Sequence, residues 1–127
     1  KIIHGYCRDL IFRKPELKNS LDGKPTVNLI QLKNKSQIRC LPASEKQVRG
    51  QGADLLILDE CALMDEDLIK AAIPTVASSP KGKIVLLSTP RTPYGFFYHV
   101  WVNSEQLGYK KFHWTAETCP RIDKKNS

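Results

Sequence analysis

The chain has 127 residues, of which 41% are apolar, so it is long enough to bury a core and is not a disordered tail in composition. Twenty Lys and Arg residues against 13 Asp and Glu residues give a formal net charge of +7, which favours a polyanionic partner, with nucleic acid first. No apolar stretch approaches the length of a membrane span and no signal peptide opens the chain, so we expect a cytoplasmic protein without membrane attachment.

The cysteines and histidines do not indicate a metal site. No two cysteines have CxxC spacing and no two histidines are spaced as a metal-binding pair. Reduced thiols are therefore expected. The cysteines are Cys7, Cys40, Cys61 and Cys119.

The first third of the chain predicts one helix and one hairpin. Apolar residues over 3–11 recur at spacings of three and four, which is typical of a helix that Pro15 would end. Residues 14–26 are rich in Pro, Gly, Asn, Ser and Asp, so we expect a loop. Segments 27–32 and 37–41 approximate two alternating strands joined by a polar turn, which predicts a β-hairpin.

The middle of the chain predicts a β-α-β unit. Leu55 to Leu58 are an unbroken apolar run, which suits a strand buried on both faces of a parallel sheet. Asp65 can cap a helix that Pro74 kinks or ends, and residues 83–88, with an apolar run from Ile84 to Leu87, predict a second buried strand. Two such strands joined by a helix are expected to be parallel, with a right-handed crossover.

The last third predicts a helix, a strand and a linker. Aromatic and apolar residues at helical spacing indicate a helix over 96–107, with Gly108 as its C-cap. Segment 109–114 indicates an edge strand because of its two lysines. Residues 115–127 look like the start of a linker, so the expected folded unit is 1–114.

Two adjacent carboxylates, Asp59 and Glu60, follow the first apolar run directly. The carboxyl ends of strands in an open α/β sheet are where ligands bind. An Asp there can hold a Mg²⁺ that bridges nucleotide phosphates, and the next carboxylate can orient or deprotonate an attacking water. Alternatively, the two acids merely end a strand.

The second apolar run also ends in polar residues, Ser88 and Thr89, followed by Pro90. In a parallel pair, these hydroxyls would lie at the same edge as Asp59 and Glu60. This second polar strand end supports a site at that edge.

Together these segments resemble the ATPase domain of large terminase subunits, the DNA-packaging motors of tailed phages and related viruses. The resemblance follows the order Arg49-Gly50, apolar strand, Asp59-Glu60, helix, apolar strand, Ser88-Thr89-Pro90 and the aromatic helix that Gly95 opens, and it covers roughly residues 27–114. It implies an α/β protein: a partial P-loop NTPase three-layer fold with a mainly parallel sheet.

The resemblance also implies residue roles. Asp59 would be the Walker B acid that holds Mg²⁺, and Glu60 the catalytic carboxylate that activates water against the γ-phosphate of ATP. Ser88, Thr89 and Pro90 would be the coupling motif, which links hydrolysis to movement of DNA. Arg49 would contact phosphate, DNA or a neighbouring subunit, or else form a surface ion pair.

The implied partners are those of a packaging motor. They are double-stranded DNA, further copies of the chain in a homo-oligomeric ring, a small terminase subunit and the portal, in the cytoplasm of the host cell.

The sequence departs from the family in one important respect. Nothing matches the phosphate-binding pattern GxxxxGK[ST], and the Walker A strand–loop–helix expected before Lys1 is not in the sequence. Nor does an acidic cluster of a nuclease domain follow. We therefore expect the C-terminal portion of a terminase ATPase domain, which alone binds ATP poorly because much of the triphosphate charge stays unpaired.

Two other functions stay open. The chain could be a non-catalytic basic module that binds nucleic acid or a protein, with Asp59 and Glu60 only ending a strand. It could also be a fragment of a helicase-type ATPase, since Asp-Glu-Cys and Ser-Thr-Pro loosely echo helicase motifs.

Overall fold

The structure, a computed structural model, describes residues 2–118 apart from the side chains of Ile2 and Ala116. It mixes helices with two small sheets, one parallel and one antiparallel, which is in keeping with the α/β class. No helix within these residues has both the length and the hydropathy needed to cross a membrane. The helices are α1 (Ile2–Arg13), α2 (Pro15–Asn19), α3 (Glu45–Val48), α4 (Glu66–Ala72) and α5 (Phe96–Val102), and the strands are β1 (Leu29–Gln31), β2 (Gln37–Arg39), β3 (Leu55–Leu58) and β4 (Lys83–Leu86).

The predicted first helix is confirmed as α1, but the loop predicted over 14–26 is wrong in part. Residues Pro15–Asn19 form α2, which packs against α1. The fixed φ of Pro15 suits the first position of a helix, and Glu16 complements the helix dipole there. The proline therefore ends one helix and begins the next.

The predicted hairpin is confirmed, with shorter strands. β1 and β2 pair antiparallel, with Ile30 opposite Ile38. Ile30 is fully buried, whereas every residue of β2 is exposed. Asp22 stabilises the hairpin because its carboxylate accepts hydrogen bonds from Gln31 and Lys35. These bonds also lower the pKa of Asp22.

The predicted β-α-β unit is confirmed, and its two strands are parallel. Leu55 lies opposite Lys83 and Leu58 lies opposite Leu86. Asp65 caps α4 as expected, since its carboxylate accepts the Asp67 N–H at 2.8 Å. After α4 the chain makes a turn of 3₁₀ helix, Ile73–Val76, which leads back towards β4.

The main core lies on one face of the β3–β4 sheet. Side chains of α4 pack there against the buried ends of α3 and β3, and the start of α5 packs on the same cluster. The buried members are Val48, Leu58, Cys61, Leu68, Ile69 and Ala72, and the half-buried residues packed against them include Leu56, Leu86, Phe96 and Phe97.

The expectation that β3 is buried on both faces is wrong for the described residues. Successive side chains of a strand point to opposite faces, and only one face meets α4. On the other face Leu55 is 52% exposed, Ile57 is 42% exposed and the neighbouring Val85 of β4 is 38% exposed. An apolar sheet face therefore lies open.

The two sheets do not form the mainly parallel sheet that we expected. They are not hydrogen-bonded to each other, and a groove of about 740 Å³ lies between β2 and β3. The Arg39 guanidinium of β2 donates to the Gln51 side chain at 3.0 Å on the other side of this groove. The parallel part of the structure is thus limited to the β3–β4 pair in residues 2–118.

The last third differs most from the prediction. Helix α5 ends at Val102, and turns follow to Gly108, whose φ of 74° suits a glycine. The strand predicted over 109–114 is wrong, because this segment pairs with no strand in the described part of the chain. Of the predicted linker, residues 116–118 form a 3₁₀ turn and residues 119–127 lie outside the described residues.

The turn into β4 depends on a glycine. A methyl group at Gly82 would overlap the carbonyl oxygen of Val76, which is backbone and cannot swing away. We expect Gly82→Ala to lower the free energy of unfolding by about 1–3 kcal/mol, as overpacking does. The measurement is a urea denaturation curve.

Gly52→Ala is the matched control, because nothing lies within 4 Å of a methyl group at that position. It should shift the free energy of unfolding by no more than about 0.5 kcal/mol. Equal stability of the two variants would contradict the close approach at Gly82.

Candidate functional site

The hydrogen-bond ladder between β3 and β4 continues beyond the ends of the two strands. The Leu87 N–H donates to the Leu58 carbonyl oxygen at 2.9 Å, and the Cys61 N–H donates to the Leu87 carbonyl oxygen at 2.9 Å. The residues after the strands therefore leave the sheet side by side. Asp59 and Glu60 lie within this bonded stretch.

Ser88 contacts the turn that contains the two acids. Its half-buried hydroxyl oxygen accepts the Ala62 N–H at 3.1 Å. The expected closeness of the polar strand ends is thus observed for Ser88. Thr89 and Pro90 follow it and are exposed.

Glu60 has an unusual backbone conformation. Its φ of 55° and ψ of 41° place it in the left-handed region, which costs a non-glycine residue about 1–2 kcal/mol. Its N–H donates to the Asp59 carboxylate at 3.1 Å, and its carbonyl oxygen accepts the Leu63 N–H at 2.9 Å. Strained backbone of this kind clusters at functional sites.

The turn at Glu60 is anchored by Cys61. This side chain is only 1% exposed and belongs to the main core. Burial raises the pKa of the Cys61 thiol to about 11, so it stays protonated at neutral pH. A protonated, buried thiol is a poor nucleophile and a poor metal ligand, so Cys61 serves as a packing anchor beside the two acids.

Asp59 and Glu60 are exposed and face a concavity of about 460 Å³. Two further acids, Glu45 and Asp65, line the same concavity. Neither was predicted from the sequence as a site residue, because each stands at the start of a helix and the fold brings both to the concavity that Asp59 lines. The concavity is therefore lined by four carboxylates.

These carboxylates fit the acidic part of a Mg²⁺–nucleotide site. Mg²⁺ is commonly held by one or two carboxylates, with phosphate oxygens and waters completing its shell. Residues 2–118 contain no group of three His, Cys, Asp or Glu side chains arranged to hold a metal by themselves. A metal at this concavity would need further ligands beyond these side chains, such as phosphate oxygens.

Arg49 forms the surface ion pair that was one of its two interpretations. Its guanidinium donates to the Glu45 carboxylate at 2.8 Å, four residues back along the chain, and both side chains are substantially exposed. An exposed pair of this kind adds at most about 1 kcal/mol to stability.

Comparison of the sequence with protein-family models and with curated proteins found no significant match.

The Ser88 hydroxyl should stabilise the joined strand ends. In Ser88→Ala, the half-buried Ala62 N–H loses its acceptor, which costs roughly 1–2 kcal/mol of unfolding free energy. Hydrogen exchange of the Ala62 amide, followed by NMR, should become faster. Thr89→Ala, at the exposed neighbouring hydroxyl, is the control, and an unchanged Ala62 exchange rate in Ser88→Ala would refute this contact.

The left-handed backbone at Glu60 can be tested separately from its carboxylate. Glu60→Gly and Glu60→Ala both remove the acid, but only glycine adopts this conformation without steric cost. The glycine variant should therefore be more stable than the alanine variant by roughly 1 kcal/mol in chemical denaturation. An alanine variant of equal or greater stability would count against the strained turn.

Proposed function

We propose that this chain is the C-terminal portion of the ATPase domain of a large terminase subunit. Its parent protein hydrolyses ATP, with Mg²⁺, to move double-stranded DNA into a capsid. The observation that carries the proposal is the hydrogen bond between Ser88 and the turn after Glu60. It joins the two motifs on which the resemblance depends.

The exposed carboxylates supply the proposed chemistry. Asp59 would hold Mg²⁺, directly or through water, and the bound ion would neutralise charge on the phosphates. Glu60 would accept a proton from the attacking water on its carboxylate. Both acids are exposed at a concave surface, so a nucleotide held by another segment could reach them.

The same hydrogen bonds offer a route for coupling. Ser88 is bonded to Ala62 and Leu87 is bonded to Cys61, so both bonds join the Glu60 turn to the start of the Ser88–Pro90 segment. A displacement of that turn on hydrolysis would therefore move this segment. This supports the coupling role that the resemblance assigns to residues 88–90.

The other parts of the proposal follow from the family. The chain alone is expected to be inactive, because its sequence lacks a phosphate-binding loop. The parent would act in the host cytoplasm as a homo-oligomeric ring, with a small terminase subunit and the portal as partners. The net charge of +7 supports contact with DNA.

A second candidate is a non-catalytic basic module that binds nucleic acid or a protein. Two observations favour it: the sequence has no phosphate-binding loop, and the Arg49 side chain is engaged by Glu45. A helicase-type fragment would share the chemistry at Asp59 and Glu60. The Gly95-Phe96-Phe97 segment after Ser-Thr-Pro favours a terminase over a helicase.

The deciding experiment measures ATP turnover, with and without double-stranded DNA, for this chain, its full-length parent and the parent carrying Glu60→Gln. We expect turnover in the parent alone, because the amide removes the base while leaving the metal and phosphate contacts. Nucleotide binding by Glu60→Gln should therefore persist.

Glu66→Gln in the parent is the matched control, since it removes an exposed acid on α4 that pairs with Lys70 and does not line the concavity. Its turnover should equal that of the unmodified parent. Normal turnover in Glu60→Gln would refute the role of Glu60. No turnover in any protein, with DNA binding retained by the isolated chain, would favour the binding module.

A further inference from the structure

Two aromatic rings stack on each other at the protein surface, outside the site described above. Phe112 and Trp114 have ring centroids 5.8 Å apart and ring planes only 9° apart, yet they are 57% and 74% exposed. The Lys110 ammonium lies over the Phe112 ring, with its Nζ 5.3 Å from the ring centroid. We call residues 110–114 the aromatic strip.

Two other residues of the aromatic strip contact Trp101 of α5. Lys111 lies with its Nζ 5.3 Å from the Trp101 ring centroid, and His113 packs edge-on against the same ring at 6.0 Å. Trp101 itself stacks on Phe97 at 6.4 Å, and Phe97 packs on the main core. Lys111 and His113 thus contact Trp101, and all five residues of the strip are exposed.

Stacked rings beside lysines have the chemistry of a surface that binds single-stranded nucleic acid. Such surfaces combine aromatic faces, on which unpaired bases stack, with cations that contact the phosphates. Here two parallel, exposed rings offer apolar surface, and the Lys110 ammonium lies over the Phe112 ring. The overall charge of +7 complements a polyanion.

We infer that the aromatic strip binds single-stranded nucleic acid, with a base stacked on the Phe112–Trp114 pair and a phosphate contacted by Lys110. The bases of a duplex are already stacked on their own neighbours and cannot stack on the Phe112–Trp114 pair, so a duplex is not the preferred ligand. The inference does not depend on Asp59, Glu60 or nucleotide hydrolysis, and it goes beyond the proposed movement of double-stranded DNA.

The test measures binding of the 127-residue chain to a fluorescently labelled oligothymidylate of about 20 nucleotides by anisotropy. Phe112→Ala and Trp114→Ala should each weaken binding by about fivefold or more. Tyr6→Ala, which removes an equally exposed ring from α1, is the control and should leave affinity unchanged. A duplex of the same length should bind more weakly and should not respond to the ring substitutions.

Conservative variants separate stacking from a structural role. Trp114→Phe keeps a flat ring and should retain most of the affinity, whereas Trp114→Leu keeps an apolar side chain without a ring face and should lose it. Circular dichroism and thermal melting should be the same for all variants, because both rings are exposed.

Three binding results would overturn the inference, and so would one sedimentation result. The binding results are no binding of the oligothymidylate by the intact chain, equal affinity of all ring variants, or a preference for duplex that the variants do not change. Sedimentation that shows self-association of the intact chain and its loss in Trp114→Ala would also overturn it, since the rings would then contact a second copy. None of these measurements involves ATP, so they leave the proposed ATPase function to its own test.

Discussion

The pairing of β3 with β4 holds the candidate site of this chain together. Their hydrogen bonds run past the strands through Leu58, Leu87 and Cys61, and Ser88 then accepts the Ala62 N–H. Because parallel strands end at the same edge, two segments nearly thirty residues apart in sequence are brought into contact there. Without this pairing, the acids and the hydroxyls would be separate loops with no shared geometry.

The position of Glu60 shows how the core supports the exposed site. Its left-handed backbone is unfavourable in isolation, and two elements compensate for it. The next residue, Cys61, is buried in the core, and the Leu63 N–H donates to the Glu60 carbonyl oxygen. The anchored turn leaves both carboxylates at the surface, where they can meet a ligand while their backbone stays fixed.

The elements that the sequence predicts well are those set by local pattern. The apolar run of β3, the Asp65 cap and the parallel β-α-β arrangement all follow from neighbouring residues. Two errors concern the type of element, since Pro15–Asn19 form a helix within the expected loop and segment 109–114 pairs with no described strand. A third concerns what covers an element. An apolar run indicates that β3 avoids water but does not say which segment packs on it, and Leu55 and Ile57 lie open here.

The left-handed backbone of Glu60 has no sequence signal, since such positions usually hold glycine or asparagine. The pairing of Arg49 with Glu45 was readable from their four-residue spacing.

The open face formed by Leu55, Ile57 and Val85 links the stability of this chain to whatever covers it. A partner that binds only the folded chain at that face adds a free energy that grows with the logarithm of its concentration. The melting temperature is then not a property of the chain alone but reports occupancy of the face. For a chain with such a partner, folding and binding are one thermodynamic process, and the β3–β4 sheet is more stable when its open face is covered.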